Sequence, residues 1–249
     1  MKNRYQRFHI AIGGLAILCL LLCGYLFVWD KSGDSEDRAA METTTTQETA
    51  GIQKTATMSE TANTDVKRIA LTFDDGPHPI YTPMLLEGLK KRDVKASFFL
   101  LGKAVEEYPD IVKEMHEQGH LIGNHTYHHV DIKNANADMI EKEVVSANEL
   151  IEEITGQYPQ FIRPPFGHQD DGIEEMTGMI CVMWNVDPLD WCTTDASLVV
   201  ERVLAHAEDN CIILMHDQYK SSVQAAFTIV DALQKQGYEF VTVDELLWD

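Results

Sequence analysis

Two neighbouring aspartates end one of the apolar segments of this sequence and could bind a metal ion and transfer a proton. The segment LTFDDGP contains Asp74 and Asp75, followed at once by Gly76 and Pro77. Glycine and proline interrupt a strand, so both carboxylates can project from its end. Adjacent acids can divide the work, because one can bind a metal ion while the other moves a proton. The alternative interpretation is a turn in which the acids only cap a helix.

A histidine-rich segment supplies candidate metal ligands. The segment HTYHH places His125 and His129 four residues apart, which puts both imidazoles on one face of a helical turn. Two imidazoles and a carboxylate such as Asp75 form a common three-ligand site that leaves positions open for water. His128 also fits, because a spacing of three brings two side chains together as well. Exposed surface histidines are the alternative.

Three further segments carry groups that could orient a catalytic side chain, donate a hydrogen bond or transfer a proton. Arg163 opens RPPFG, where its guanidinium could orient a carboxylate, and the N–H of Phe166 is the first donor after two prolines. Asp190 lies in DPLDW, and His216 ends an apolar run. An aspartate near a histidine raises the pKa of the imidazole and fixes its orientation. A solvated arginine and a hydrogen-bonded core histidine are the alternatives.

Strand and helix signals alternate from Arg68 onward. A helix is predicted from about residue 136 to residue 155, because apolar residues recur there at helical spacing. Seven β-α repeats predict an α/β fold, a small and distorted (β/α) barrel, with a doubly wound open sheet as the alternative. The predicted strands are Ile69–Phe73, Ala96–Leu101, His120–Asn124, Gln160–Arg163, Ile180–Val186, Cys211–Met215 and Glu239–Val243.

The candidate groups share one position in this pattern, because each lies at the end of a predicted strand or within a few residues after it. In α/β barrels the active site lies at the carboxyl ends of the strands. Five coincidences of this kind predict one active site at that end of the barrel.

The five segments together resemble the signature of a known family. TFDDGP, H-T-x-x-H, RPPFG, D-x-x-D-W and L-x-H occur in the order found in the polysaccharide deacetylases (the NodB-homology domain, carbohydrate esterase family 4). The resemblance covers about residues 67–249 of the chain. It implies a metal-dependent deacetylase with a distorted (β/α) barrel of seven or eight strands.

The resemblance also implies how a metal ion and a base would be held. Asp75, His125 and His129 would bind a divalent metal, with Zn2+ expected first and Co2+ or another divalent ion as alternatives. Asp74 would be the general base toward the attacking water, and Arg163 would orient Asp74.

Five further residues match the family at the leaving-group side and in the pocket. His216, oriented by Asp190, would protonate the leaving amine. The backbone amide of Phe166 would stabilise the oxyanion. Trp191 and Leu214 would line the pocket for the acetyl methyl group.

An uncharged apolar run near the start of the sequence predicts a membrane anchor. Lys2, Arg4 and Arg7 precede the run Ile10–Val28, and acidic residues follow it. The run has nineteen residues, which at about 1.5 Å each nearly match the roughly 30 Å hydrocarbon core. The charges on either side favour an N-terminus inside the cell. We therefore predict a single-pass protein of the cell membrane with an extracytoplasmic catalytic domain; an unusually long cleaved signal peptide is the alternative.

The chain is accordingly divided into three parts. Residues 1–29 are the cytoplasmic N-terminus and transmembrane signal-anchor, and residues 67–249 are the deacetylase domain. Residues 30–66 are rich in threonine and glutamate without apolar periodicity, which predicts a disordered, flexible linker.

Composition restricts the possible partners. The formal net charge is −20, which excludes a phosphate-backbone binder that depends on clustered lysine and arginine. A bridge between Cys181 and Cys211 is conceivable, but free buried thiols are favoured.

Location and family resemblance together suggest the substrate. A tethered, outward-facing deacetylase is expected to act on N-acetylglucosamine residues of peptidoglycan, as a monomer. Chitin-like or exported polysaccharides and O-acetylated xylan are alternative substrates, and a glycan-binding pseudoenzyme is an alternative of another class.

Overall fold

The computed structural model describes residues 66–168 and 171–248. The predicted anchor and residues 30–65 of the predicted linker lie outside those ranges, so both remain predictions. Within the two ranges, every helix is too short or too polar to cross a bilayer.

Seven parallel strands form the sheet, and each coincides with a predicted strand. The run Ile69–Phe73 is buried throughout, as expected for a strand of a parallel sheet that is covered on both faces. The largest difference is at Ile180, where the strand is much shorter than predicted. The strands are β1 (Lys67–Asp74), β2 (Ser97–Leu100), β3 (Leu121–Asn124), β4 (Phe161–Ile162), β5 (Ile180–Cys181), β6 (Cys211–His216) and β7 (Tyr238–Val241).

The sheet is curled, because residues at the ends of strands that are not neighbours in the sheet contact each other. The order is β5-β4-β3-β2-β1-β6, with β7 paired to the first half of β1. A flat sheet would put β4 and β1 about 14 Å apart, yet Arg163 directly after β4 reaches Asp74 at the end of β1. A single parallel bridge between Val186 and Ile213 joins the stretch after β5 to β6. The predicted barrel is therefore a curled half-barrel, and the doubly wound alternative is wrong.

The helix predicted from residue 136 to residue 155 is confirmed, with a π-helical segment in its middle. Asn136 caps its start by accepting a hydrogen bond from the Met139 N–H at 3.0 Å. Ile140, Val144 and Ile151 are buried along one face, as predicted. The helices are α1 (Tyr81–Lys90), α2 (Gly102–Glu107), α3 (Pro109–Glu117), α4 (Ala137–Ile140), the π segment (Glu141–Val145), α5 (Ser146–Thr155), α6 (Asp171–Thr177), α7 (Ala196–His206), α8 (Lys220–Lys235) and α9 (Val243–Trp248).

The three cysteines in the described part of the chain are free thiols. Cys211 is buried, Cys181 is partly buried and Cys192 is exposed. The conceivable bridge between Cys181 and Cys211 does not form.

Candidate active site

The two aspartates lie where β1 ends, and the chain turns sharply between them. Asp74 is 3% exposed and pairs in register with His216, the last residue of β6. Asp75 takes a left-handed backbone conformation with φ 73°. The carbonyl of Gly76 then accepts a hydrogen bond from the Leu101 N–H at 3.1 Å. The turn sends the two neighbouring carboxylates to different partners.

Asp75 faces the two imidazoles that the sequence pairs with it. Its Oδ1 lies 3.5 Å from Nε2 of His125 and 3.4 Å from Nε2 of His129. The three donor atoms lie within 4.8 Å of one another. This Oδ1 is buried, and no described residue donates a hydrogen bond to it. An orphaned carboxylate oxygen between two ring nitrogens fits a divalent cation, because such cations accept this mixed donor set.

The orientation of His125 also fits metal binding. Its Nδ1 lies 2.6 Å from the carbonyl oxygen of Arg163, so Nδ1 carries the proton and Nε2 presents a lone pair. Burial lowers the pKa of His125 despite the nearby charges of Asp74 and Asp75. The imidazole is therefore held in the neutral form that a metal ion requires.

The structure distinguishes His129 from His128, which the spacing alone could not. His128 turns away, and its N–H and its Nδ1 each lie 2.9 Å from a carboxylate oxygen of Glu143. Left-handed backbone at Thr126 and at His129 bends the segment so that His129, rather than His128, converges on His125.

Arg163 is fully buried and binds the other aspartate. Its Nη1 donates to Oδ1 of Asp74 at 2.8 Å and to Oγ1 of Thr72 at 2.7 Å. Its Nε donates to the carbonyl of Val182 at 2.9 Å. The solvated arginine of the alternative interpretation is wrong. Asp74 is held at one oxygen, while its Oδ2 lies 3.8 Å from Nε2 of His125.

His216 and Asp190 form the pair that the sequence suggested. Nδ1 of His216 lies 2.8 Å from Oδ1 of Asp190, and the His216 N–H donates to Oδ2 at 2.9 Å. Burial by itself would lower the pKa of His216, but the hydrogen bond and charge of Asp190, with the charges of Asp74 and Asp75, raise it to about 9. His216 is therefore an imidazolium at neutral pH, with an Nε2–H available to donate.

The three pocket residues are placed differently from one another. Phe166 lies in a short 3-10 segment with φ 64°, and its exposed ring contacts the His129 ring at 4.7 Å between centroids. Trp191 is 54% exposed and directly follows the buried Asp190. Leu214 is buried on β6, two residues before His216 and so on the same side of the strand. Phe166 thus lies at the metal-ligand cluster, whereas Trp191 and Leu214 flank the histidine–aspartate pair.

Asp217 and Gln218, to which the sequence assigned no role, lie against this site, and Thr82 bonds to Asp217. Asp217 is fully buried and accepts a hydrogen bond from Oγ1 of Thr82. Burial raises the pKa of Asp217 to about 7, although the hydrogen bond from Thr82 opposes the shift. Gln218 donates to the carbonyl of Asp75 at 2.8 Å. The only signal for Asp217 and Gln218 in the sequence is that they directly follow His216.

Several known proteins are similar to this chain. Residues 61–178 match the family described as polysaccharide deacetylase. The peptidoglycan-N-acetylglucosamine deacetylase PgdA of Listeria monocytogenes is 40% identical over 180 residues, which cover 72% of this chain and 39% of that protein. The chain thus spans about two fifths of the length of that relative.

Two solved structures extend the likeness to the fold. The peptidoglycan deacetylase PdaC from Bacillus subtilis is 38% identical with a TM-score of 0.71, over 73% of this chain and 90% of that chain. A family 4 acetyl xylan esterase from Clostridium thermocellum, solved in complex with a cobalt ion, is 34% identical with a TM-score of 0.69, over 72% of this chain and 90% of that chain.

Proposed function

The chain belongs to the polysaccharide deacetylase family, and on that premise we propose that it hydrolyses the N-acetyl groups of N-acetylglucosamine residues in peptidoglycan. One observation carries this proposal. Asp74 and His216 are register partners on adjacent strands, and the three-donor cluster lies beside them. A base, an acid and a metal site therefore surround one position, as amide hydrolysis requires.

Asp75, His125 and His129 would hold the divalent cation, with zinc as our first choice. Bound there, the ion would act as a Lewis acid on the acetyl carbonyl and on water. Among the residues of the chain, Asp74 takes the proton from the attacking water. Arg163 occupies only one of its carboxylate oxygens, so the other is free to accept that proton.

His216 completes the reaction at the leaving group. The water oxygen bonds to the acetyl carbon, the carbon–nitrogen bond breaks, and the departing amine takes a proton from Nε2 of His216. Asp190 stabilises the imidazolium beforehand through Nδ1. Acetate and a free glucosamine amine leave the site, with the backbone amide of Phe166 as donor to the oxyanion and with Trp191 and Leu214 beside the acetyl methyl.

Peptidoglycan is the favoured substrate because the two relatives with the highest similarity reported above are named for it. A chitin-like or exported polysaccharide, or O-acetylated xylan, would use the same groups, and the Clostridium relative is named an acetyl xylan esterase. Acetate release from the purified protein should be measured on peptidoglycan, chitooligosaccharides and acetylated xylan. We expect peptidoglycan to give the largest kcat/KM. A larger kcat/KM on acetylated xylan would identify xylan, rather than peptidoglycan, as the substrate.

A glycan-binding pseudoenzyme is the candidate from a different class. Intact residues for base, acid and all three ligands argue against it. Chelation should abolish acetate release, and added zinc or cobalt should restore it. Glycan binding without acetate release at any metal concentration would favour the pseudoenzyme.

We also propose that the protein is anchored in the cell membrane with its catalytic domain outside. The uninterrupted apolar run Ile10–Val28 and the basic residues before it support this location. The full-length protein should remain in the membrane fraction, and protease added to intact protoplasts should remove the catalytic domain. Recovery of most of the protein in the medium, with a new N-terminus near residue 30, would contradict the anchor.

A further inference from the structure

We propose that Thr82, Asp217 and Gln218 form a brace that holds the turn of Asp75 in place for metal binding and ties it to the segment that follows His216. The inference rests on the proposed function, because it assigns positioning residues to the same reaction. This role requires no contact with substrate. Gln218 and Asp217 contact the turn that carries the metal-ligand aspartate, and Thr82 links Asp217 to the segment that follows the turn.

Gln218 restrains the backbone of Asp75 directly. Its Nε2 donates to the Asp75 carbonyl at 2.8 Å. Asp75 needs such a restraint, because a non-glycine residue at φ 73° occupies a sparsely populated region. The amide of Gln218 therefore holds the peptide group that must stay fixed if Oδ1 of Asp75 is to face the two imidazoles.

Thr82 and Asp217 hold the other side of the turn. Oγ1 of Thr82 accepts a hydrogen bond from the His78 N–H at 2.7 Å and donates one to Oδ2 of Asp217 at 2.5 Å. The hydroxyl thus links the segment after the turn to a fully buried carboxylate. That carboxylate also packs against Gly76, where a Cβ atom would lie only 2.6 Å from Oδ1 of Asp217. The turn can therefore approach Asp217 so closely only because residue 76 is glycine.

The brace joins two parts of the site that act together. Asp217 and Gln218 directly follow His216, and His216 is the register partner of Asp74. One short segment consequently carries the proton donor and contacts the turn of the metal ligand. A loosened brace should weaken metal binding and slow turnover, while KM changes little because no substrate contact is lost.

The test uses the full-length protein and substitutions matched in shape. Thr82→Val removes the hydroxyl and keeps the branched shape, whereas Thr82→Ser keeps the hydroxyl. Gln218→Met removes the amide donor at nearly constant length. Thr228→Val is the control, because the exposed Thr228 hydroxyl donates to the Gln224 carbonyl within α8. Three quantities are measured: zinc affinity by competition with a chromophoric chelator, melting temperature without metal, and kcat and KM for acetate release.

We expect Thr82→Val and Gln218→Met each to weaken zinc affinity and to lower kcat by about 10- to 100-fold, with KM within about twofold, as for other residues that orient metal ligands. Thr82→Ser should keep most of the wild-type zinc affinity, and Thr228→Val should match the wild type in zinc affinity, kcat and KM. A lower melting temperature with unchanged zinc affinity in both Thr82→Val and Gln218→Met would overturn the brace. So would a wild-type protein that binds no zinc.

The zinc measurement separates the brace from the proposed function. It needs no substrate, so weakened zinc binding in the variants would support the brace even if the wild type released no acetate. Conversely, unchanged zinc binding in the variants of an active wild type would remove the brace and leave the deacetylase intact.

Discussion

Two histidines, His120 buried and His216 partly buried, lie at opposite ends of the strands and are shifted in opposite directions in their pKa. His120 directly precedes β3, at the amino ends of the strands, and His216 is the last residue of β6, at the carboxyl ends. Burial of the side chain and the nearby charge of Lys95 lower the pKa of His120 to about 4. The pKa of His216 is raised to about 9, even though burial acts in the opposite direction.

The partners of the two rings explain this difference. Nδ1 of His120 accepts a hydrogen bond from the Ala96 N–H at 3.1 Å, and the ring packs edge-on against Phe98. Nδ1 of His216 instead meets the carboxylate of Asp190. An imidazole that accepts from a backbone donor in an apolar surrounding stays neutral, whereas one that donates to a carboxylate is held as a cation. Burial alone therefore does not make a histidine catalytic, because the charge of its partner determines its protonation state.

The largest expected effects lie at the carboxyl ends of the strands, at the paired aspartates. Asp75→Asn should lose both bound metal and activity, because it removes a charged ligand. Asp74→Asn should keep the metal and lose about a hundred- to ten-thousand-fold in kcat, the usual contribution of an acid–base group. Metal content and acetate release measured on both variants check this. Metal lost from Asp74→Asn and kept in Asp75→Asn would reverse the two roles.

Replacement of His216, the histidine at the carboxyl ends of the strands, should lower activity nearly as much. His216→Ala should retain metal and lose about a hundred- to ten-thousand-fold in kcat. Because the folded pKa of His216 is raised to about 9, the wild type should keep its acid through neutral pH and lose activity as pH rises through 9. A pH profile of residual activity should lack this alkaline limb in the variant. Near-normal turnover in His216→Ala would exclude the residue as the proton donor.

Two neighbouring histidines provide a smaller and more local contrast. His129→Ala should weaken zinc affinity by more than about 100-fold, because it removes a ligand rather than an orienting residue. His128→Ala should cost about tenfold or less, because His128 contacts Glu143 rather than the cluster. Chelator competition on the two variants measures the difference. The reverse order would make His128 the second ligand.

His120, the histidine at the amino ends of the strands, should affect only the stability of the fold. In wild type, the unfolded chain takes a proton at this position below pH 6.5, but the folded chain does so only near pH 4. Stability from His120 is therefore present above pH 6.5 and lost as the pH falls toward 4. Between pH 7 and pH 5 the wild type should lose about 2 kcal/mol that His120→Gln does not lose.

Urea unfolding of both proteins at the two pH values measures this loss. Acetate release by His120→Gln at neutral pH should stay within about twofold of the wild type, since glutamine can still accept from the Ala96 N–H. A tenfold loss of kcat would mean that the two ends of the strands are coupled and that His120 does not act on stability alone.

Much of the fold could be predicted from local patterns. Seven runs of the sequence, among them Ile69–Phe73, were predicted as strands, and each coincides with a strand of the sheet. The placement of Asp74, His125, Arg163 and His216 just after strands follows from the same patterns. Because parallel strands end on one side of a sheet, these residues had to lie near one another. The predicted anchor at residues 10–28 lies beyond the described residues and awaits its own experiment.

Other features of the site could not be predicted, because they depend on residues far apart in the chain. The segment HTYHH does not distinguish His129 from His128. That choice follows from the left-handed backbone at His129 and from Glu143, fifteen residues beyond His128. Likewise, no local pattern pairs Thr82 with Asp217, which are 135 residues apart. Periodicity specifies which residues a strand buries and which stand at its end, since both depend on neighbours in the chain. The direction of each side chain and the charge that it carries depend on contacts between segments that are far apart in the chain.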